Sequence, residues 1–329
     1  MTKVGKIRKT EEGTYKLVEH CADLRSHEKA LIVSDPETKS IGLMIEEIAK
    51  RITSSVEHHC IAAFSMHGQE LPPDTAKAMY ESDVIFGVTH MSMIHTQARL
   101  RATAKGARYL SLPDYSLDVL GDISLMTDFR GITSFSNRIA DILNLGSEVK
   151  ITSDIGTELY LRINGRTANA CPGWTEKGGT VASPPDAETN IAIVEQFSEG
   201  RLVVNGSIPY DGIGLVKDPI ICHIAKGVIE RLEGTDKGVA ILEKILWEGE
   251  DSYKKRVLAE LGFGLNDKAR LCGVMLIDEG TCGTIHIGIG SNATIGGVND
   301  VNSHLDLVIN KPTVAIDGGL IMVNGEYLK

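Results

Sequence analysis

The chain has 329 residues, of which 42% are hydrophobic, 24% charged and 5% aromatic, with a formal net charge of −10. That length suits about two domains, each burying a full core without a disulfide or a structural metal. The acidic balance and few aromatic residues argue against a duplex-binding face of clustered Lys and Arg, and against a single-strand platform of stacked rings.

Elements follow in chain order. Residues 1–28 are polar and mixed, and read as a lead-in or dimerisation segment. Their basic start (Lys3, Lys6, Arg8 and Lys9) is soon met by Glu11 and Glu12 and reads as a solvated terminus. Ala30 to Val33 is a short apolar run closed by Ser34-Asp35-Pro36, a buried strand ended by a turn. Ser40 to Arg51 carries Ile41, Met44, Ile45 and Ile48 on one helical face. Strands are expected at His59–Phe64, Asp83–Val88 and Gly106–Leu112, with helices at Thr75–Ser82 and Thr96–Lys105 between them. This alternation predicts an α/β N-terminal domain with a parallel sheet.

Phe135 to Leu143 reads as a helix stopped by Gly146, and the pattern then changes. A hairpin is expected from Glu148–Ser153 and Glu158–Ile163, a strand at Arg201–Ser207, a strand and hairpin over Ile220–Leu232, and helices at Gly238–Trp247 and Ser252–Leu261. The tail reads as strands. The expected domains are residues 1–146 and 147–329, the second an α+β unit, with the cleft between them as the default pocket. No apolar run approaches the roughly 18 residues of a membrane helix, and the start lacks a signal-peptide segment, so a cytoplasmic location is expected. Cys21, Cys60, Cys171, Cys222, Cys272 and Cys282 form no CxxC pair and are expected as reduced thiols.

The chemistry gathers in the last third. In Thr284-Ile-His286-Ile-Gly288-Ile-Gly290 the isoleucines alternate with His286, Gly288 and Gly290. A strand sends alternate residues to opposite faces, so one face is aliphatic and the other has an imidazole beside open space. In Ser303-His304-Leu-Asp306-Leu, His304 and Asp306 share a face. Each group also has a plainer reading, a satisfied core histidine and a His–Asp hydrogen-bonded pair. The Gly- and Asn-rich segment 291–300 could set the two strands side by side. Two His and a carboxylate suit one divalent ion, and further carboxylates suit a pair. Glu260, read at a helix end, and Glu188, read in a loop, are the upstream candidates. Asp278 and Glu279 are either partners of the histidines or a solvated turn. Gly288-x-Gly290-x-x-Ala293 lacks the following helix that a dinucleotide fingerprint requires.

The stretches Glu260-Leu-Gly-Phe-Gly-Leu-Asn266, Gly283-Thr-Ile-His286-Ile-Gly-Ile-Gly-Ser-Asn292, Gly296-Gly297 and His304-Leu-Asp306 resemble the thermophilic metallo-aminopeptidase superfamily. That superfamily holds the aminopeptidase T and S type enzymes and the iron-dependent 2,5-dihydroxypyridine dioxygenases. The likeness extends to Val194–Ser207, above all Ser198–Ser207, and to Ser92–Thr96 and Gly106–Arg108, and so covers nearly the whole chain.

The resemblance to the aminopeptidases implies one or two divalent ions (Zn, Mn, Co or Fe) on Glu188, Glu260, His286, His304 and Asp306. In a hydrolase Glu188 or Glu260 could accept the proton where it is not fully engaged as a ligand, and Glu188 is the catalytic candidate. Where those enzymes carry a Tyr seven residues after the first His, this chain has Ala293, which favours a small or cyclic amide over a peptide. The dioxygenases use His, His and Asp on one iron. His304 and Asp306 resemble the end of that set, with Glu260 or His286 nearest its first member. His95 resembles a dioxygenase histidine that reaches the substrate from the first domain, a candidate general acid or base. The expected activity is metal-dependent amide hydrolysis. The alternatives are Fe(II) ring cleavage of a dihydroxypyridine-like aromatic, or a non-catalytic ligand- or metal-binding protein. A small-molecule substrate and a homodimer are expected, without nucleic acid or membrane.

Overall fold

The computed structural model describes residues 3–235 and 237–328. The chain divides into two compact units, Met1–Arg130 with Gly173–Pro185, and Gly131–Pro172 with Asp186–Lys329.

The first unit is an α/β layer. Its sheet runs in the order Val56–Cys60, Ala30–Ser34, Val84–Val88, Arg108–Ser111 and Val181–Ala182, with every pair parallel. Ala30–Ser34 and Val84–Val88 are wholly buried, as continuous apolar runs in a parallel sheet must be. Helices Lys39–Ile52, Pro73–Tyr80 and Gln97–Lys105 form the connections. Thr96 caps the last of these by accepting from the Arg99 N–H. The edge strand is Val56–Cys60, not the expected His59–Phe64. Pairing with Ala30–Ser34 fixes it there, and the apolar run Ile61–Phe64 follows the strand. The stretch read as a lead-in is helical over Lys3–Tyr15 and continues as a π-helical segment over Lys16–Cys21, where Leu17, Val18 and Cys21 are buried. Arg8 and Lys9 are exposed; Met1 and Thr2, and the side chains of Lys3 and Lys6, lie outside the described residues.

The second unit is built from antiparallel sheets. Eight strands follow the order Val228–Glu233, Ile220–Ala225, Glu199–Val204, Glu158–Arg162, Glu148–Thr152, Thr313–Ile316, Gly319–Val323 and Glu326–Tyr327. Five more follow the order His304–Asn310, Thr284–Gly290, Leu258–Gly264, Glu188–Ala192 and Asn169–Cys171. One aliphatic core takes side chains from both sheets, among them Val149, Leu161, Leu202, Ile287 and Leu307. Helix Phe129–Leu145 adds Ile139 and Leu143 to that core, which is why the contact division falls at Arg130 and not near residue 146.

Two local expectations need correction. Helix is confined to Ser252–Lys255, and Leu258–Gly264 is a strand. The register slips between Leu258 and Glu260, so Leu258 and Leu261 both enter the core. A bulge thus reproduces the three-residue apolar spacing of a helix. Glu188 starts a strand instead of lying in a loop, paired on one side with Gly264 and on the other with Cys171. No helix among the described residues is long and apolar enough to cross a membrane.

Candidate metal centre

The five-stranded sheet sorts its residues by parity. Ile191, Leu261, Phe263, Ile285, Ile287, Ile289, Leu305, Leu307 and Ile309 point into the core. The opposite face carries Glu188, Glu260, His286, His304 and Asp306, interleaved with Gly262, Gly264, Gly288 and Gly290. Register sets a glycine opposite most of the polar groups: Gly264 faces Glu188, Gly262 faces His286, and Gly288 lies between Glu260 and Asp306. A Cβ on Gly262 would lie 2.0 Å from His286 Nε2. One on Gly288 would lie 2.8 Å from both Glu260 Cβ and His304 Cε1. The glycines therefore make the room into which the side chains of neighbouring strands lean.

The polar groups converge at short range. His286 Nε2 is 3.2 Å from Glu188 Oε2 and 3.9 Å from Glu260 Oε1. His304 Nε2 is 3.4 Å from Glu260 Oε2 and 3.3 Å from Asp306 Oδ1. Glu260 thus offers one oxygen to each imidazole. Glu188, Glu260 and His286, all buried, bring ligand atoms within 4.8 Å of one another. Asn190 Nδ2 holds the other Glu188 oxygen, Oε1, at 2.7 Å.

The rings are held differently. His304 Nδ1 lies 2.8 Å from the Ser291 carbonyl, which can only accept. Nδ1 therefore carries a proton, and Nε2 is the nitrogen that would turn to a cation. His286 is fully enclosed, and its Nδ1 makes no hydrogen bond among the described residues. Glu188 Oε2, Asp306 Oδ1 and Asp186 Oδ1 are likewise buried without an aligned hydrogen bond. Orphaned buried acceptors of this kind are costly. A set of imidazole nitrogens and carboxylate oxygens, buried and under-satisfied, fits a divalent ion.

Electrostatics agree with that fit. Burial opposes charge on His286, but the Glu260 carboxylate 3.9 Å away and the negative field of Glu188 and Asp306 outweigh it and raise the pKa to about 10. His304 is also raised to about 10 against burial, chiefly by Asp306. Burial, with Glu260 adding to it and His286 opposing, lifts Glu188 to about 7. Asp306 is lowered, because His304 outweighs burial. A bound cation would stand in for these protons.

All five sequence-predicted ligands meet on this face. His95 belongs to the first unit, exposed in the turn before Gln97–Lys105. Asp278 is not a solvated turn residue: it is buried and accepts from the Cys272 and Gly273 N–H groups at 2.7 and 2.8 Å. Glu279 adjoins the cluster, hydrogen-bonded to Asp306, and burial and the neighbouring carboxylates push its pKa well up. Sequence reasoning missed Asp186. Burial and Glu188 raise its pKa far above the usual carboxylate range. The signal was its two-residue spacing from Glu188, the same spacing as His304 and Asp306.

The chain combines a parallel-sheet α/β unit with an antiparallel unit that carries this carboxylate–histidine face. Residues 37–329 match the model of the family described as 2,5-dihydroxypyridine 5,6-dioxygenase, and the chain belongs to that family. The 2,5-dihydroxypyridine dioxygenase of Pseudomonas putida KT2440 superposes with a TM-score of 0.81 at 16% identity, over 98% of this chain and 97% of that one. Wild-type AmpT from Thermus thermophilus superposes with a TM-score of 0.70 at 14% identity, over 98% of this chain and all of that one. At these identities the two structures establish the fold. No curated protein matches the chain.

Proposed function

We propose that the chain is a metal-dependent hydrolase of a small or cyclic amide. Glu188 and His286 would hold one divalent ion, His304 and Asp306 a second, with one Glu260 oxygen for each. The observation that carries this reading is the reach of Glu260, whose two oxygens address the two imidazoles separately at 3.9 and 3.4 Å. Such ions lower the pKa of bound water and polarise a carbonyl. Glu188 has Oε1 on the Asn190 amide and a single free oxygen, Oε2, which would either bind the ion or, released from it, take up a proton from the attacking water. Ala293, in place of a phenolic side chain, suits a small substrate. Zinc, manganese or cobalt fit the nitrogen and oxygen donors.

A second reading has its own support. The family description and the higher TM-score both favour the dioxygenase branch. In that case one Fe(II) would be held by His304 and Asp306, with His286 or Glu260 as third ligand. Metal analysis of the protein and of His304→Ala, with assays of amide cleavage and oxygen uptake, separates the two. About two zinc, manganese or cobalt ions per chain, with amide cleavage and no oxygen uptake, supports the hydrolase. One iron, with oxygen consumed on a dihydroxypyridine-like aromatic, overturns it in favour of the dioxygenase.

A further inference from the structure

His286 and His304 face the same carboxylate but are secured by different means. The His286 side chain is 2% exposed and lies against Gly262, so close packing, with the Glu188 carboxylate 3.2 Å away, fixes its ring. The His304 side chain is 36% exposed, so its orientation depends on the Nδ1 hydrogen bond to the Ser291 carbonyl. What holds Ser291 therefore matters.

Ser291 opens a loop tied by a polar knot. The Ser291 N–H donates to the Ser303 carbonyl at 2.7 Å, beside His304. Asn292, fully buried, donates through Nδ2 to Glu195 Oε1 at 2.7 Å and to the Ala259 carbonyl at 3.2 Å. Its Oδ1 accepts the Asn299 N–H at 3.0 Å. Asn299 Nδ2 in turn donates to the Gly290 carbonyl at 2.6 Å and the Lys254 carbonyl at 2.8 Å. Glu195 also accepts the Val298 N–H at 2.9 Å and pairs with Arg166. Gly297 lies against the Asn292 amide, and a Cβ there would fall 1.9 Å from Asn292 Cγ. Residues on both sides of Ser291 are thus pinned by groups that touch no candidate ligand side chain.

We propose that Glu195, Asn292 and Asn299 are positioning residues for His304: they fix the Ser291 carbonyl that aims His304 Nε2 at the metal centre. This rests on the reading of His304 as a metal ligand. Its consequence is asymmetric. Loosening the knot releases the His304 half of the centre and leaves the packed His286 half intact. A general loss of stability would weaken both halves together.

The test is a cobalt titration of the metal-free protein followed by visible absorption, with a thermal melt of each variant. Glu195→Gln removes the charge and turns one acceptor into a donor. Gly297→Ala adds a single methyl group against Asn292 and removes no hydrogen-bonding group. Thr294→Ala, exposed in the same loop, is the control. Two cobalt ions are expected in the wild type and control. In both knot variants one should bind normally and the other about 10- to 100-fold more weakly, the usual effect of an outer-shell change, with spectra resembling His304→Ala. Folded variants with both affinities unchanged, or both equally reduced, overturn the proposal. Should Glu195→Gln fail to fold, Gly297→Ala decides. A wild type that takes a single ion overturns the dinuclear reading instead. The knot proposal then survives only if His304→Ala and the knot variants weaken that one ion alike.

Discussion

Each unit buries histidine against carboxylate, with opposite results. In the first unit Ser34 Oγ is 2.8 Å from His58 Nε2, and His58 Nδ1 is 2.7 Å from Glu46 Oε2. Both ring nitrogens are used, and Glu46 also takes Lys50 Nζ at 2.5 Å. In spacing this chain resembles a nucleophilic triad, but Ser34 is fully buried. In the second unit the acceptors outnumber the donors, and oxygens of Glu188 and Asp306 stay without aligned partners. A closed network of this sort is a structural device; an open one, rich in acceptors, calls for a cation.

The largest expected effect comes from the group that joins the two halves of the open cluster. Glu260→Ala should release both ions, with a loss of affinity beyond the roughly 10- to 100-fold of outer-shell changes. Chelation should mimic it in stability, since removing an ion present at about 1,000 times its Kd withdraws about 4 kcal/mol. Glu46→Gln should leave metal content unchanged. Elemental analysis and thermal melts of the two variants check this, and metal lost from Glu46→Gln would erase the distinction between the clusters.

Glycines sharpen the same contrast. Gly262→Ala drives a methyl into His286, at a cost of about 1–3 kcal/mol for overpacking, and should lower metal occupancy as well. Gly42→Ala places a Cβ 2.8 Å from His58 Nε2 and 3.1 Å from Ser34 Cβ. Gly42 lies inside helix Lys39–Ile52, so a gain of up to about 1 kcal/mol in helix propensity offsets part of that crowding. It should move the melting temperature alone. Denaturant titration and metal content, measured side by side, read the difference.

How much of this was legible follows from how far each residue's structure is local. His286, His304 and Asp306 lie on strands whose alternation is unbroken, so their shared face follows from period two alone. Glu260 lies just beyond a bulge, where the period fails and Leu258 and Leu261 imitate a helix. Its candidacy was readable, its strand was not. Glu188 begins a strand made by partners at Gly264 and Cys171, and nothing in its polar neighbours announces them. Asp186 and Glu279 approach the cluster from separate segments, and such convergence leaves no local pattern. In the first unit the alternation of apolar runs and helices sufficed for Ala30–Ser34 and Val84–Val88, which are buried on both faces, but not for the polar edge strand Val56–Cys60, which precedes the apolar run Ile61–Phe64.

The smallest effect is a pH dependence confined to the closed network. The hydrogen bond from Lys50, with burial opposing and His58 assisting, holds the Glu46 carboxyl below its ordinary value of 4.5. A depressed carboxyl contributes stability that is complete above the unfolded-state pKa and is lost as pH falls through the folded-state value. The Glu46 contribution should therefore be constant from pH 8 to about 5 and decline below about 4.5. Glu46→Gln removes it, so wild type and variant should differ by a fixed amount at neutral pH and converge in acid. Urea titrations of both proteins at several pH values, in chelator so that the metal centre contributes equally, read this convergence. A gap between them that stays constant down to pH 3 would mean that the Glu46 charge does not stabilise the network and that its hydrogen bonds to Lys50 and His58 act by geometry alone.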